Sequence, residues 1–127
     1  MEESKKFSVS ARLISFKYAF NGLKLFFRND HNGRVHLSAA LIAILFSWLL
    51  HISSLEWIAI LMVIAAVMVT EIINAAIEKL ADVVSPGYHP KIKIVKDLAA
   101  GAVLMTAILA LVVGSIIFVP KLFACIS

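Results

Sequence analysis

The stretch from Trp57 to Glu78, WIAILMVIAAVMVTEIINAAIE, decides the architecture. Residues 57–70 carry no Asp, Glu, Lys or Arg; Glu71 interrupts them, and Ile72 to Ile77 resume the apolar run before Glu78. A hydrocarbon core about 30 Å thick asks for about 20 helical residues. The run therefore predicts one membrane helix from about Leu55 to Val84, ended by Ser85, Pro86 and Gly87. Two other stretches free of those four residue types, 35–55 and 98–119, are long enough to span as well. Spans are expected at about 35–55, 55–84 and 95–119.

Composition agrees. Of 127 residues, 61% are apolar and 16% charged, against roughly a quarter charged in soluble domains. With a mean hydropathy of +0.96, a chain this short would expose more oily surface than a small globule can hide. The reading is a single all-α integral-membrane unit over 1–127. The lone cysteine, Cys125, excludes an intrachain disulfide and a multi-cysteine metal site.

The basic excess, +4, reads as topology before nucleic-acid binding. Lys5, Lys6, Arg12, Lys17, Lys24, Arg28 and Arg34 precede the first span, Lys79, Lys91, Lys93 and Lys96 lie between the second and third, and Lys121 follows the third. None falls between the first two spans. The positive-inside rule then puts the N-terminus and the second loop in the cytoplasm, with His51 to Glu56 and the C-terminus outside. A cleaved signal peptide fits badly, because a polar region of over thirty residues precedes the first apolar run and no A-x-A-like site follows it.

Between Phe7 and Phe27, Leu13, Phe16, Phe20, Leu23 and Phe27 recur at helical spacing among Arg12, Lys17, Lys24 and Arg28. This pattern predicts an amphipathic helix on the cytoplasmic membrane face, aromatics toward the acyl chains and cations toward anionic headgroups. The competing reading is a helix packed on the chain's own loops. Asn29 to Gly33 is expected to be the turn into the first span.

The chemistry concentrates at one level. On a helix Glu71, Asn74, Glu78 and Asp82 are spaced three or four apart and share one face. From Leu55 the helix climbs roughly 24 Å to Glu71, near the inner edge of the hydrocarbon. A carboxylate there is expensive unless paired, protonated or wet, and so is a functional candidate. Helix association explains one or two polar groups, Asn74 among them, but leaves little use for three acids in line. Their mutual repulsion argues for a cation, and oxygen ligands at this spacing suit Mg²⁺ with water and phosphate completing its shell. Lys91, Lys93, Lys96 and Asp97 enter the third span at the same level, as do Asp30, Arg34 and His36 for the first. Lys96 suits an anionic group, with Asp97 orienting it or holding a loop; the alternative is a positive-inside anchor. His31, His36, His51 and His89 are too scattered for zinc, and no G-x-x-x-x-G-K-[ST] or G-x-G-x-x-G is present.

The run EIINAAIE at 71–78, then Asp82, Tyr88 and His89, then KDLAAGAVL at 96–104, resembles the small integral-membrane lipid kinases of bacteria, the prokaryotic diacylglycerol kinase and undecaprenol kinase family. The likeness covers essentially the whole chain. It implies an N-terminal surface helix (about 7–27) with three transmembrane helices, a homotrimer with sites shared between neighbours, residence in the cytoplasmic membrane, and phosphorylation of a membrane lipid alcohol by MgATP. It implies Glu71 as catalytic base, Glu78 as a Mg²⁺ ligand, and Lys96 with Asp97 in the nucleotide site. Tyr18, Tyr88 and His89 are implied near the nucleotide, Arg12 there after a one-residue shift, and Asn74 and Arg34 on the substrate side. The family's second metal carboxylate falls on Asp30, where a Glu is usual. KDLAAGAVL and the surroundings of His36 look more like the undecaprenol type. From another functional class, the same carboxylates read as a proton or ion relay, or as part of an assembly subunit; a relay should place ionisable groups through the full depth, and these stop at the inner half.

Overall fold

The computed structural model describes residues 6–127 and contains four α-helices: α1 (Val9–Asn29), α2 (His31–Leu49), α3 (Ser54–Val84) and α4 (Pro90–Ile126). There is no strand among the described residues. α2, α3 and α4 are each long and apolar enough to cross a membrane. α3 is the central element: it packs most extensively on α4 and next on α2, while α2 and α4 barely meet.

The helix ends differ from expectation for reasons of capping. The turn into α2 is Asp30 alone rather than Asn29 to Gly33. Its Oδ1 accepts the Gly33 N–H at 3.0 Å, so the side chain takes the place of the missing helical acceptor and α2 starts at His31. α2 then stops at Leu49, short of residue 55. His51 N donates to Trp48 O and Ile52 N to Ser47 O, both at 3.3 Å, with His51 in the left-handed region at φ 52. That is the bond pair of a Schellman motif, and the apolar residue just past it, Ile52, is buried. α3 opens on a reciprocal capping box: Glu56 N to Ser53 Oγ at 3.2 Å and Ser53 N to Glu56 Oε1 at 2.9 Å. It ends at Val84, as expected. α4 starts at Pro90, with His89 Nδ1 accepting the Lys91 N–H at 3.2 Å, and continues through Pro120 to Ile126, beyond the expected 119.

One end of the bundle is held by Ile52, Ile60 and Ile117, with Trp57 and Phe118 packed on them, and by Lys121 Nζ, 3.2 Å from Glu56 Oε1. Midway, the Thr70 and Thr106 hydroxyls join α3 to α4 at 2.9 Å; in lipid such a bond adds directional glue where apolar burial drives nothing. α1 meets the rest only near its C-terminal end, where Phe26 is buried. A Cβ built on Gly33 would lie 2.5 Å from the Phe26 ring, so glycine there permits the elbow between α1 and α2. Leu13, Phe16 and Phe20 remain exposed. The apolar stripe of α1 is therefore not spent on the chain's own loops, in keeping with an amphipathic helix that offers it to lipid.

Candidate active site

The buried stripe of α3 runs Ile60, Val63, Val67, Glu71, Asn74, Ala75, so a single helical face passes from aliphatic to polar without leaving the interior. Glu71 is 3% exposed. His36 Nε2, reaching from the second turn of α2, lies 3.0 Å from Glu71 Oε1. Glu71 Oε2 and Asn74 Oδ1 are buried with no hydrogen-bond partner among the described residues. An unsatisfied buried acceptor is costly, and two of them a turn apart point to a polar group supplied from outside this chain.

One turn above Glu71, about 6 Å along the axis, α3 enters an open cleft of about 290 Å³. The elbow contributes Asn29, Asp30, His31 and Asn32; α3 contributes Ala75, Glu78, Lys79 and Asp82. Asp30 faces the cleft because it caps α2, and with Oδ1 on Gly33 the other oxygen remains for a ligand. Three carboxylates around a polar opening are hard oxygen donors, which suits Mg²⁺. Among the described residues no three Asp, Glu, His or Cys side chains converge closely enough to hold a metal by themselves. An ion that takes one or two carboxylates and completes its shell with water and phosphate fits that donor set.

The start of α4 is tied to this cleft through Asp82, one of its lining residues. Lys96 Nζ is 2.7 Å from Asp82 Oδ1, which places an ammonium at the acidic rim. Asp97 does not orient Lys96; it is 2.6 Å from Lys93, one turn back on its own helix. His89 is the cap of α4, and Tyr88 beside it is 80% exposed. Arg34 is exposed on the first turn of α2. Tyr18 and Arg12 lie on the exposed part of α1, Arg12 over the Phe7 ring at 5.4 Å. α1 packs on α2 and α3 and not on α4. The fold thus gathers Asp30, Glu78 and Asp82 at one cleft, with Lys96 paired to Asp82 and Glu71, Asn74 and His36 further down the bundle, and does not bring Arg12 or Tyr18 to Lys96, Tyr88 or His89 within one chain.

On the other side of His36 the surface turns apolar. A groove of about 560 Å³ runs between α2, α3 and α4, its walls thinned by Ala39, Ala40 and Ala43 on α2 and by Ala107, Ala110 and Gly114 on α4. His36 is part of its lining. On α3, Glu71 lies between Met68, which lines the groove, and Ala75, which lines the acidic cleft, and its partner His36 lines the groove.

The profile of prokaryotic diacylglycerol kinase matches residues 17–118. The chain belongs to that family. Undecaprenol kinase of Bacillus subtilis (strain 168) is 35% identical over 108 residues, 85% of this chain and 88% of the relative. Diacylglycerol kinase of Synechocystis sp. is 36% identical over 113 residues, covering 88% of this chain and 65% of the longer relative. Diacylglycerol kinase of Escherichia coli (strain K12) is 28% identical over 100 residues, 79% of this chain and 82% of the relative.

Within this family fold, two contacts were not foreseen from the residues. His36 was placed at the right depth, but its bond to Glu71 depends on the crossing of α2 over α3, which spacing along one chain segment does not encode. The partner of Lys96 is Asp82, fourteen positions earlier, and not its neighbour Asp97. The available signal was that Asp82 extends the acid stripe by one turn past Glu78.

Proposed function

We propose that this membrane kinase transfers the terminal phosphoryl group of ATP to the primary hydroxyl of a membrane lipid alcohol, with Glu71 as the base. The observation that carries the reading is the place of Glu71: buried, one oxygen held by His36 and the other unpartnered among the described residues, on the stretch of α3 between Met68, which lines the apolar groove, and Ala75, which lines the polar cleft. A lipid alcohol has the same two-sided character, a hydrocarbon tail for the groove and a hydroxyl for the junction.

The hydroxyl proton goes to Glu71 Oε2. The lipid oxygen bonds to the terminal phosphorus as that phosphorus parts from the bridging oxygen, and ADP leaves with that electron pair. Phosphoryl transfer asks the protein chiefly for alignment and for compensation of negative charge. Lys96 at the rim of the cleft supplies a cation for phosphate. Asp30 and Glu78 would hold Mg²⁺, which when bound neutralises charge on the phosphate oxygens. Asn74, with a free buried carbonyl oxygen, orients the acceptor hydroxyl, and Arg34 serves the lipid headgroup side. The buried position of Glu71 keeps bulk water, the competing acceptor, away from the reacting oxygen.

Tyr18 and Arg12 on α1, and Tyr88, His89 and Asp97 on the far side, complete a nucleotide site only between chains, since α1 does not reach α4 in the fold. The uncovered apolar face of α4 supports the same assembly, a homotrimer with shared sites. A cytoplasmic site, with the C-terminus on the opposite side, is supported by the basic N-terminal segment and second loop. The preferred acceptor is a polyprenol of the undecaprenol type, in line with KDLAAGAVL.

The test is transfer of labelled phosphate from ATP by the purified protein in vesicles containing undecaprenol or diacylglycerol, with and without Mg²⁺. Transfer that needs Mg²⁺ and favours undecaprenol is expected, with Glu71→Gln lowering turnover by at least about a hundredfold. A Glu71→Gln protein of undiminished turnover removes the base from its role.

A further inference from the structure

His36 is the side chain through which α2 reaches the reaction centre. A ring N–H can only donate, and Glu71 Oε1, 3.0 Å away, accepts it. The two oxygens of Glu71 are thereby made unequal: Oε1 is committed, and Oε2, unpartnered, is the one left to receive a proton. The bond also restrains the torsions of a long side chain that otherwise samples several rotamers. Packing of α2 does not depend on it. Ala40 and Ser47 bury the interior face of that helix, Ser47 bonding its own helix at Ala43 O, 2.7 Å away. The His36 side chain itself is 27% exposed, so it is not a mere core filler.

Resting on the assignment of Glu71 as base, we infer that His36 is a positioning residue for the reaction: its Nε2–H holds Glu71 Oε1 so that Oε2 faces the lipid hydroxyl. Because His36 also lines the groove, it sets the depth at which a tail can lie relative to the base. One side chain thus couples where the lipid sits to which oxygen takes its proton.

Three substitutions separate this role from a structural one. His36→Ala removes the donor, His36→Phe keeps a ring without it, and His36→Gln offers an amide N–H at similar reach. Losing one hydrogen bond to a charged acceptor is expected to lower kcat about 10- to 100-fold in His36→Ala and His36→Phe, with the KM for ATP unchanged, while His36→Gln recovers most of the loss. In the double variant with Glu71→Gln the His36 substitution adds nothing, since there is no base left to position. Gel-filtration profile and thermal midpoint report the fold of each variant. A His36→Phe protein as active as His36→Gln overturns the inference, and so does a folded His36→Gln no better than His36→Ala. If Glu71→Gln alone stays active, the base assignment fails; if Glu71→Gln is dead and the His36 variants turn over normally, only this inference fails.

Discussion

Lys96 Nζ and Asp82 Oδ1, 2.7 Å apart, tie the beginning of α4 to the last turns of α3 across the loop that carries Tyr88 and His89. The pair is on the surface, where solvent screening leaves such bridges little stabilising effect. Its place at the cleft makes it a charge reserve for phosphate more than a structural lock. Lys96→Met is expected to leave the unfolding midpoint nearly unchanged while lowering kcat/KM for ATP by at least about tenfold. Steady-state kinetics beside a thermal scan in detergent check both.

Asp30 has two tasks that substitutions can divide. Asn caps a helix as well as Asp does, so Asp30→Asn should keep the elbow and the unfolding midpoint while the Mg²⁺ concentration for half activity rises about tenfold or more. Asp30→Ala should show that rise and lose about 1 kcal/mol of stability as well. Asp30→Glu keeps the charge and should retain Mg²⁺ activation. Mg²⁺ titrations of all three variants, with thermal scans, make the comparison.

Gly33 lies under the Phe26 ring. Gly33→Ala puts a methyl group 2.5 Å from it and forces the buried ring aside, at a cost of about 1–3 kcal/mol. Since the Gly33 N–H is also the partner of Asp30, the same substitution should raise the Mg²⁺ requirement. Gly22→Ala, at a position with open space, should do neither.

His51 holds a left-handed conformation, φ 52, which disfavours residues with a Cβ by about 1–2 kcal/mol. His51→Gly relieves that strain and is expected to raise stability by up to about 1 kcal/mol without affecting turnover, because the α2–α3 turn is at the end of the bundle opposite the cleft. Thermal unfolding and an activity assay suffice.

The helical class and the end of α3 near the cleft were legible in the residues. Charge-free runs report membrane burial directly, because an unpaired charge in hydrocarbon is costly. Ser85, Pro86 and Gly87 stop α3 by backbone chemistry alone. The ends of α2 and the start of α3 were less legible: Asp30 caps α2 through one side-chain bond, Ser53 caps α3 in a box with Glu56, and His51 takes a conformation usually left to glycine. At the site, Glu71, Glu78 and Asp82 were visible because one helix carries them, and periodicity orders residues on a helix without reference to anything else.

The amino-acid sequence by itself determined that the chain lives in a membrane, that a stripe of acids marks one end of its central helix, and that Lys96 and Asp30 enter at the same level; hydropathy and helical period act locally and can be read from neighbours. Only the tertiary structure decided that His36 takes one oxygen of Glu71 and leaves the other free, that Lys96 turns to Asp82 instead of Asp97, and that α3 lines an apolar groove on one side of Glu71 along its axis and a polar cleft on the other. Those outcomes depend on how α2 and α4 cross α3, and a crossing is set by side-chain packing between segments far apart in the chain.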